Sequence, residues 1–353
     1  MEYILNDVLE IKNGKNQKAV ENSEGQYPIY GSGGVIGYAD DYICDADTVV
    51  IGRKGSINNP IYVSEPFWNV DTAFGLVARR EVLLPRYLFY FCKKFDFEKL
   101  NKTVTIPSLT KSDLLNIKIK LPDIDEQQLV VDKLIRIESV MEFRKQELNV
   151  LDNLIKARFV ELFDGKYPED TLLNLCNIVD YRGKTPEKVE HGLPFITAKN
   201  VKMHHMTLEP REYISKETYD KVMVRGFPKE GDVVFTTEAP LGNVCRIPHF
   251  DTEFYIGQRI VTMQTDALNP TYLEYALSDE EFVRKYMGKS SGSTVTGIRV
   301  RLLQQLTIPV PARTLQDEFS TFVNQVDKSK VAVQKSLDEA QLLFDSLMQH
   351  YFG

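Results

Sequence analysis

The chain is poor in the residues on which metal-binding, disulfide-stapled and histidine-driven proteins draw. Of its 353 residues only 4 are cysteine, 5 histidine and 1 tryptophan. Cys44, Cys92, Cys176 and Cys245 stand singly, with no CxxC and no neighbouring histidine pair. That spacing excludes a disulfide framework and a zinc site, and it predicts buried, reduced thiols. Long apolar runs are missing as well. The stretch around Leu83 to Cys92 falls far short of the roughly 20 residues that a bilayer span needs. The start MEYILNDVLE has neither a basic n-region nor an apolar h-region, so a cytoplasmic protein with no membrane contact is expected. An excess of positive charge is also absent: 43 basic against 50 acidic residues leave a net charge of -7. Tight, non-specific DNA binding by bulk charge is thereby excluded, because that contribution scales with the number of phosphates neutralised.

Catalytic constellations are lacking too. His191, His204, His205, His249 and His350 sit in no HExxH or serine-triad setting, and His204-His205 reads as a solvated loop pair. The cluster GSGGVIG at 31-37 has no Lys-Ser/Thr ending and is followed by strand-forming residues, so it reads as a tight turn and not a phosphate loop. Asn59-Pro60-Ile61-Tyr62 is similar to the loop with which adenine methyltransferases hold a flipped base. Its second proline is replaced by isoleucine, and no Gly-rich loop for a methyl donor precedes it. Glu10-Ile11-Lys12 has only Glu2 and Asp7 upstream to share a nuclease metal. A protein without chemistry of its own, holding no metal or cofactor, is expected.

What the chain does have is length for two or three domains, an ordinary globular composition of 43 % apolar and 26 % charged residues, and an internal repeat. LNDVLEIKNGK at 5-15 answers LLNLCNIVDYRGK at 172-184, YPIYGSGG at 27-34 answers LPFITAKN at 193-200, and DTVVIGRKGS at 47-56 answers GDVVFTTEAP at 231-240. Further on, YLFYFCKKFDF after Pro85 answers YLEYALSDEEF after Pro270, and IKIKLPDIDEQQ at 117-128 answers LTIPVPARTLQD at 306-317. Preserved order over so many segments predicts two duplicated units. The early part of each is rich in short Tyr, Val, Ile and Phe runs broken by Gly, Pro and Asn, a strand-and-turn pattern, with short helices around Tyr87 to Leu100 and Pro270 to Met287.

Each unit closes differently. After Pro122 the apolar positions Val130, Leu134, Ile137, Met141, Leu148, Leu151, Ile155 and Leu162 follow a 3,4 alternation, with Arg144 and Arg158 in its two gaps. After Pro311 the series is Leu315, Phe319, Phe322, Val326, Val333, Ala340, Leu343 and Leu347, with Ser329 and Ser336 in the gaps. Both are heptad seams. Asp123-x-x-Glu126 and Thr314-x-x-Asp317 offer capping-box starts, and a helix of about 35 to 40 residues reaches about 50 to 60 Å. The two seams are expected to pair as an antiparallel coiled coil that holds the large parts apart as a ruler. By segment, residues 1-122, 123-165, 166-311 and 312-353 carry nets of 0, -4, -1 and -2, so most of the negative excess lies on the helices. A near-neutral domain can still present one basic face.

Two β-rich parts, each followed by proline, a cap and a long heptad helix, resemble the specificity subunit of type I restriction-modification systems. KIKLPDIDEQQLVVDKL at 118-134, GKSSGSTVTGIRVRLLQQLTIPVP at 288-311, GDVVFTTEAPLGNV at 231-244, FITAKNV at 195-201, and YPIYGSGGVIGYADDY with IGRKGS carry the resemblance. It implies an α+β fold: two target recognition domains in tandem at 1-122 and 166-311, and spacer helices at 123-165 and 312-353. It further implies a bipartite double-stranded DNA target, two docked adenine-methylating modification subunits, and restriction/translocase subunits. S-adenosylmethionine, ATP and Mg²⁺ would reside on those partners. Where the first helix has Asp125-Glu126-Gln127-Gln128, the second has Thr314-Leu315-Gln316-Asp317, a departure that bears on its partner contacts.

Base edges are read by a few side chains on loops, Arg or Lys at guanine and Asn or Gln at adenine, while other basic and hydroxyl groups position phosphates. On that basis Tyr30, Ser32, Arg53, Lys54 and Lys111 are the DNA-binding candidates of the first part. Arg182, Lys184, Lys199, Asn200, Gln258, Arg259, Arg299 and Arg301 are those of the second. A different class of protein, a scaffold or decoy that joins other proteins through the same modules, is the alternative that the low basicity allows.

Overall fold

The computed structural model describes residues 1-103, 105-165, 167-181, 186-292 and 296-353. The chain forms two compact units, Met1–Glu147 with Val333–Gly353, and Leu148–Ala332. In the first unit β1 (Glu2–Ile4), α1 (Leu5–Val8), β2 (Leu9–Asn13), β3 (Tyr27–Gly31), β4 (Gly34–Ala39), β5 (Thr48–Gly52), β6 (Ile61–Val63), β7 (Trp68–Asn69) and β8 (Ala73–Ala78) come first. α2 (Pro85–Lys94), α3 (Lys111–Leu115), β9 (Lys118–Lys120) and the start of α4 (Ile124–Phe163) follow. β1 pairs with β9, a four-stranded sheet runs β2-β8-β5-β6, and a three-stranded sheet runs β4-β3-β7. The β5 run TVVIG is buried throughout, as a strand covered on both faces must be. Its period of two sends Val49 and Ile51 into the large core with α2, and Val50 into a second core with Phe67 and Cys44.

The second unit holds β10 (Glu169–Thr171), α5 (Leu172–Leu175), β11 (Asn177–Asp180), β12 (Leu193–Ile196), β13 (Val201–Lys202), β14 (His205–Met206), β15 (Tyr213–Ile214), α6 (Lys216–Val222), β16 (Val233–Thr236), β17 (Val244–Arg246), β18 (Tyr255–Ile256) and β19 (Ile260–Gln264). After these come α7 (Pro270–Ser278), α8 (Glu280–Met287), α9 (Val300–Leu303), β20 (Thr307–Pro309) and α10 (Arg313–Phe352). Its connectivity matches the first: β10 with β20, a sheet β11-β19-β16-β17, and a sheet β15-β12-β18. Among the described residues each unit has one parallel pair, and it falls at the same step of the repeat, Ile29 opposite Trp68 and Phe195 opposite Tyr255. Val233 and Phe235 of β16 enter one core and Val234 another, as in β5.

A buried glutamine ties the start of each long helix to its unit. Gln127 is fully buried; its Oε1 accepts from the Leu84 amide at 2.9 Å, and its Nε2 donates to the carbonyls of Val82 at 2.9 Å and Pro122 at 3.0 Å. In the second unit Gln316 Oε1 accepts from the Asn269 amide at 2.8 Å and Nε2 donates to the Pro311 carbonyl at 2.8 Å. Leu84 and Asn269 are the cap residues of α2 and α7, each immediately before a proline. The departure of Thr314-Leu315-Gln316-Asp317 from the first helix's pattern thus spares the glutamine that the fold uses. The expected caps fare unequally. Asp123 accepts from the Glu126 amide at 2.8 Å, but α10 begins at Arg313, so Thr314 lies inside it. Asp317 instead takes Asn269 Nδ2 at 2.8 Å and Arg313 Nε at 2.9 Å.

The heptad seam of α4 is legible in burial: Val130, Leu134 and Ile155 are buried, and Ile137, Met141, Arg144, Leu148, Leu151 and Arg158 half-buried. On α10 Phe319, Val326 and Val333 are buried and Phe322, Ala340 and Leu347 half-buried, but the strict heptad loses phase toward the end. Leu343 is 51 % exposed, and Phe344 and Met348, at 6 % and 5 %, enter the first unit's core in its place. The cause is geometric. A straight helix turns every 3.6 residues and drifts about 20° per heptad from a 3.5 repeat, and here the end of α10 packs against α2 through Tyr90 and Phe344 as well as against α4. A second correction concerns His204, which is not a solvated loop residue. Its ring stacks on Tyr275 at 4.2 Å, and its Nδ1 lies 3.0 Å from the carboxylate of Glu274, itself buried and paired with Arg246 at 2.6 Å. His205 is exposed. All four cysteines are buried free thiols; burial pushes Cys44, Cys176 and Cys245 up to about 12 and Cys92 higher still, which leaves them protonated and inert.

Two substitutions test this packing. Phe344→Ala is expected to lower stability by about 3–5 kcal/mol and Leu343→Ala by no more than about 0.5 kcal/mol, measured by chemical denaturation; the reverse order would restore the strict heptad. Gln127→Met keeps the volume but strands the Leu84 amide and its partner carbonyls, a loss of about 1–3 kcal/mol. Gln128→Met, at an exposed position whose side chain donates to Asp132 at 2.8 Å, should leave the melting temperature unchanged.

Candidate nucleic-acid interface

In the first unit the turn between β3 and β4 and the loop leaving β5 come together. Gly52 ends β5, and a Cβ there would lie 3.0 Å from the Cβ of Ser32 and 2.3 Å from the Ser56 carbonyl oxygen, so glycine permits the close approach. The loop beyond it is laced down by backbone bonds. Arg53 and Lys54 amides donate to the Thr72 carbonyl at 2.8 and 3.2 Å, the Gly55 amide to Pro107 at 3.0 Å, and the Leu109 amide to Arg53 at 2.9 Å. Both Arg53 and Lys54 are exposed. Arg53 Nη1 reaches the Asp71 carbonyl at 3.3 Å, with its guanidinium 5.8 Å from the Phe74 ring centre. A rigid backbone thus presents two cations and the Ser32 hydroxyl at one edge of the unit.

The other two candidates of this unit also make contacts within its fold. The Tyr30 ring is half-buried edge-on to Phe67 at 5.3 Å, and burial, then the nearby Glu65 charge, raise its phenol above the ordinary value. Lys111, at the start of α3, donates to the Ile11 carbonyl of β2 at 2.9 Å. The look-alike of the methyltransferase loop is likewise occupied: the Tyr62 hydroxyl donates to Asp47 at 2.6 Å, and the Arg86 guanidinium lies 3.8 Å from its ring centre.

In the second unit the same backbone frame carries different side chains. The Thr237 amide donates to the Arg259 carbonyl at 2.9 Å and the Ile298 amide to Thr237 at 2.9 Å, as Arg53 does to Thr72 and Leu109 to Arg53. Glu238 bridges Gly297 where Lys54 bridges Ser108. Position by position, therefore, Lys54 is answered by an acid, and the cation comes from Arg259, whose Nε lies 2.9 Å from Glu238 Oε1. Lys199, Gln258 and Arg259 line one open pocket with Lys188 and Glu212, the latter two joined at 2.8 Å. Arg299 and Arg301 follow the Gly297 bridge, at the cap and in the first turn of α9, both exposed.

Asn200 is corrected by its burial. It is 1 % exposed; its Oδ1 accepts from the amide and hydroxyl of Thr197 at 2.9 Å, and its Nδ2 donates to the carbonyls of Thr207 and Pro210 at 3.1 Å. All its polar capacity goes to folding the loop, so it offers nothing to a ligand. Arg182 and Lys184 lie outside the described residues. Lys188, Glu212 and Glu238 were not singled out from sequence, although pairing Lys54 with Glu238 in the repeat flags the charge reversal. Among the described residues no group of three or more His, Cys, Asp or Glu side chains is placed to hold a metal ion, and no helix is long and apolar enough to cross a membrane.

Residues 1–153 match the family of the type I restriction modification DNA specificity domain. The type I restriction enzyme MjaVIII specificity subunit of Methanocaldococcus jannaschii is 24 % identical over 80 % of this chain and 70 % of its own length. A putative type I restriction enzyme specificity subunit of Haemophilus influenzae is 23 % identical over 94 % of this chain and 91 % of its own. Among solved structures, the type I restriction-modification S subunit from M. genitalium superposes with a TM-score of 0.64 at 16 % identity, covering 100 % of this chain and 96 % of that one. Residues 1–153 thus match the type I specificity domain, and the chain as a whole is similar, in sequence and in fold, to specificity subunits of type I restriction-modification systems.

Proposed function

We propose that this chain is the DNA sequence-specificity subunit of a type I restriction-modification complex. The observation that carries the reading is the specificity-domain match at residues 1–153, joined to a sheet frame that recurs in the second unit and holds exposed cations on braced loops. Residues 1-122 and 166-311 serve as target recognition domains, each reading one half of a bipartite double-stranded target through side chains on loops. In the first, Ser32, Arg53 and Lys54 face DNA; in the second, Lys199, Gln258, Arg259, Arg299 and Arg301 do. The relatives are specificity subunits, which favours DNA recognition over a scaffold that joins only proteins.

The long helices pair as an antiparallel coiled coil and set the spacer between half-sites. Within the first unit this is supported by Arg144 Nε donating to Ser336 Oγ at 3.2 Å and by the burial of Phe344 and Met348 with Val130 and Leu134. Within the second, Arg158 pairs with Glu318 at 2.7 Å and Lys330 with Asp152 at 2.6 Å. Apolar side chains left outside these seams, Val140 and Phe143 in the first unit and Val150 and Leu154 in the second, are 44 to 68 % exposed and suit the docking of modification subunits. Catalysis and its requirements for S-adenosylmethionine, ATP and Mg²⁺ fall to those partners and to the restriction subunits, in the cytoplasm.

Two measurements test the reading. Co-expression with the modification subunit of its system, in a host without adenine methylation, followed by long-read mapping of methyladenine, should reveal one split motif methylated on both strands. One base pair added to the spacer rotates a half-site by about 34° and should abolish methylation. Subunits that co-purify and methylate no motif would overturn the proposal. On the purified complex, the Arg53→Ala, Lys54→Ala double variant should lose about 1–3 kcal/mol of DNA affinity, read by fluorescence anisotropy. Lys111→Ala removes an exposed ammonium that already spends one of its three N–H groups on the Ile11 carbonyl and should cost less affinity than the double variant.

A further inference from the structure

The most exposed apolar side chains of the first unit's sheets lie on β4, beside the cationic loop. Val35 is 50 % and Ile36 57 % exposed, and Tyr38 follows at 47 %. Two consecutive outward residues break the alternation of a strand, and the register shows why. Tyr30 pairs with Val35 and Ile29 with Gly37, so Ile36 is the extra residue of a bulge. A bulge re-aims a side chain, and here it turns outward an isoleucine that regular pleating would have placed on the opposite face from Val35. Gly34, at φ +126°, makes the reversal that brings β4 back along β3.

β4 is the outer strand of its sheet. Its far end is covered, the Asn22 amide donating to the Tyr38 carbonyl at 2.9 Å and Glu21 bridging Ala39, but the half that carries Val35 and Ile36 presents apolar side chains, where proteins ordinarily blunt an edge with charge or proline. Residues 34-38 carry neither. What lies beside them identifies the occupant. Ser32 of the same turn touches the Gly52–Gly55 loop, a Cβ at Gly55 lying 3.5 Å from Ser32 Oγ, and that loop bears Arg53 and Lys54, exposed and suited to phosphates. A two-stranded ribbon fits the major groove of B-form DNA, where the 5-methyl group of thymine is the apolar mark on a base edge. Valine and isoleucine have no donor or acceptor, so the methyl group is what they can read.

We propose that Val35 and Ile36 are specificity-determining residues that pack on a thymine 5-methyl group in the major groove of the half-site bound by the first unit. The inference rests on the DNA-specificity reading above and assigns a base feature to one loop of it. Ser32, Arg53 and Lys54 anchor the flanking backbone or a neighbouring base, and the hairpin tip supplies the apolar contact.

The test uses the full chain in complex with its modification subunits. Its motif is first selected from a random duplex pool, and each thymine of that motif is then replaced singly by deoxyuridine, which removes the methyl group alone. One thymine in one half-site should be sensitive, wild-type affinity falling about fourfold as expected for one buried methyl group. The Val35→Ala, Ile36→Ala double variant should bind thymine and uracil duplexes alike at that position, while keeping its preference in the other half-site. Wild-type binding indifferent to every uracil would overturn the inference, and so would a folded double variant that keeps the full uracil penalty. The uracil scan on wild-type protein decides even where the variant fails to fold. Failure of the wild-type complex to enrich any motif is the separate result that removes the specificity reading itself.

Discussion

The Gln127 amide, carried on the long helix α4, bonds to the backbone of the turn before α2 at Val82 and Leu84 and to that of Pro122, between β9 and α4. A carboxamide taken out of water is tolerated only when its donors and acceptor are met, so the axis of α4 cannot swing without stranding the Leu84 amide. Gln316 imposes the same condition between α10 and α7. In each unit the cap residue of the short helix precedes a proline, which supplies no amide at the first helical position. The glutamine oxygen takes the cap residue's own amide, as the distant glutamate of a capping box would. The fit of sheet to helix within each unit follows from this buried bond.

Duplication has preserved that frame and released the loops. β5 and β16 bury both faces in the same alternation, and the backbone bonds that brace the loop beyond each strand recur at matching residues. The side chains on those loops do not recur. Lys54 becomes Glu238, and the cation moves to Arg259, at the place of Thr72. A braced backbone can accept such exchanges because its backbone–backbone hydrogen bonds use no side-chain atoms.

Much of this was legible before any coordinates. The repeat, the strand-rich parts, the two 40-residue helices and the cationic loop at Arg53 and Lys54 all follow from local pattern. What local pattern missed shares one cause: the partner is set by how the chain folds back, over ten residues or over a hundred. Asn200 looks like a base reader until Thr207 and Pro210 fill its amide. Lys111 looks free until Ile11, one hundred residues earlier, accepts one of its N–H groups. His204 looks solvated until Glu274 and Tyr275 receive it.

The sequence by itself determined the periods: two for the strands, close to three and a half for the helices, and the long period of the repeat. Periodicity is a property of neighbours in the chain, and the backbone obeys it locally. Only the tertiary structure decided which side chains remain available. Leu343 and Phe344 are equally apolar neighbours, yet the phase of α10 against the first unit's core buries one and exposes the other. Ile36 faces outward because a bulge against β3 shifts its register. Availability depends on what arrives from elsewhere to cover a group or bond to it, and that information resides in the packing of distant segments.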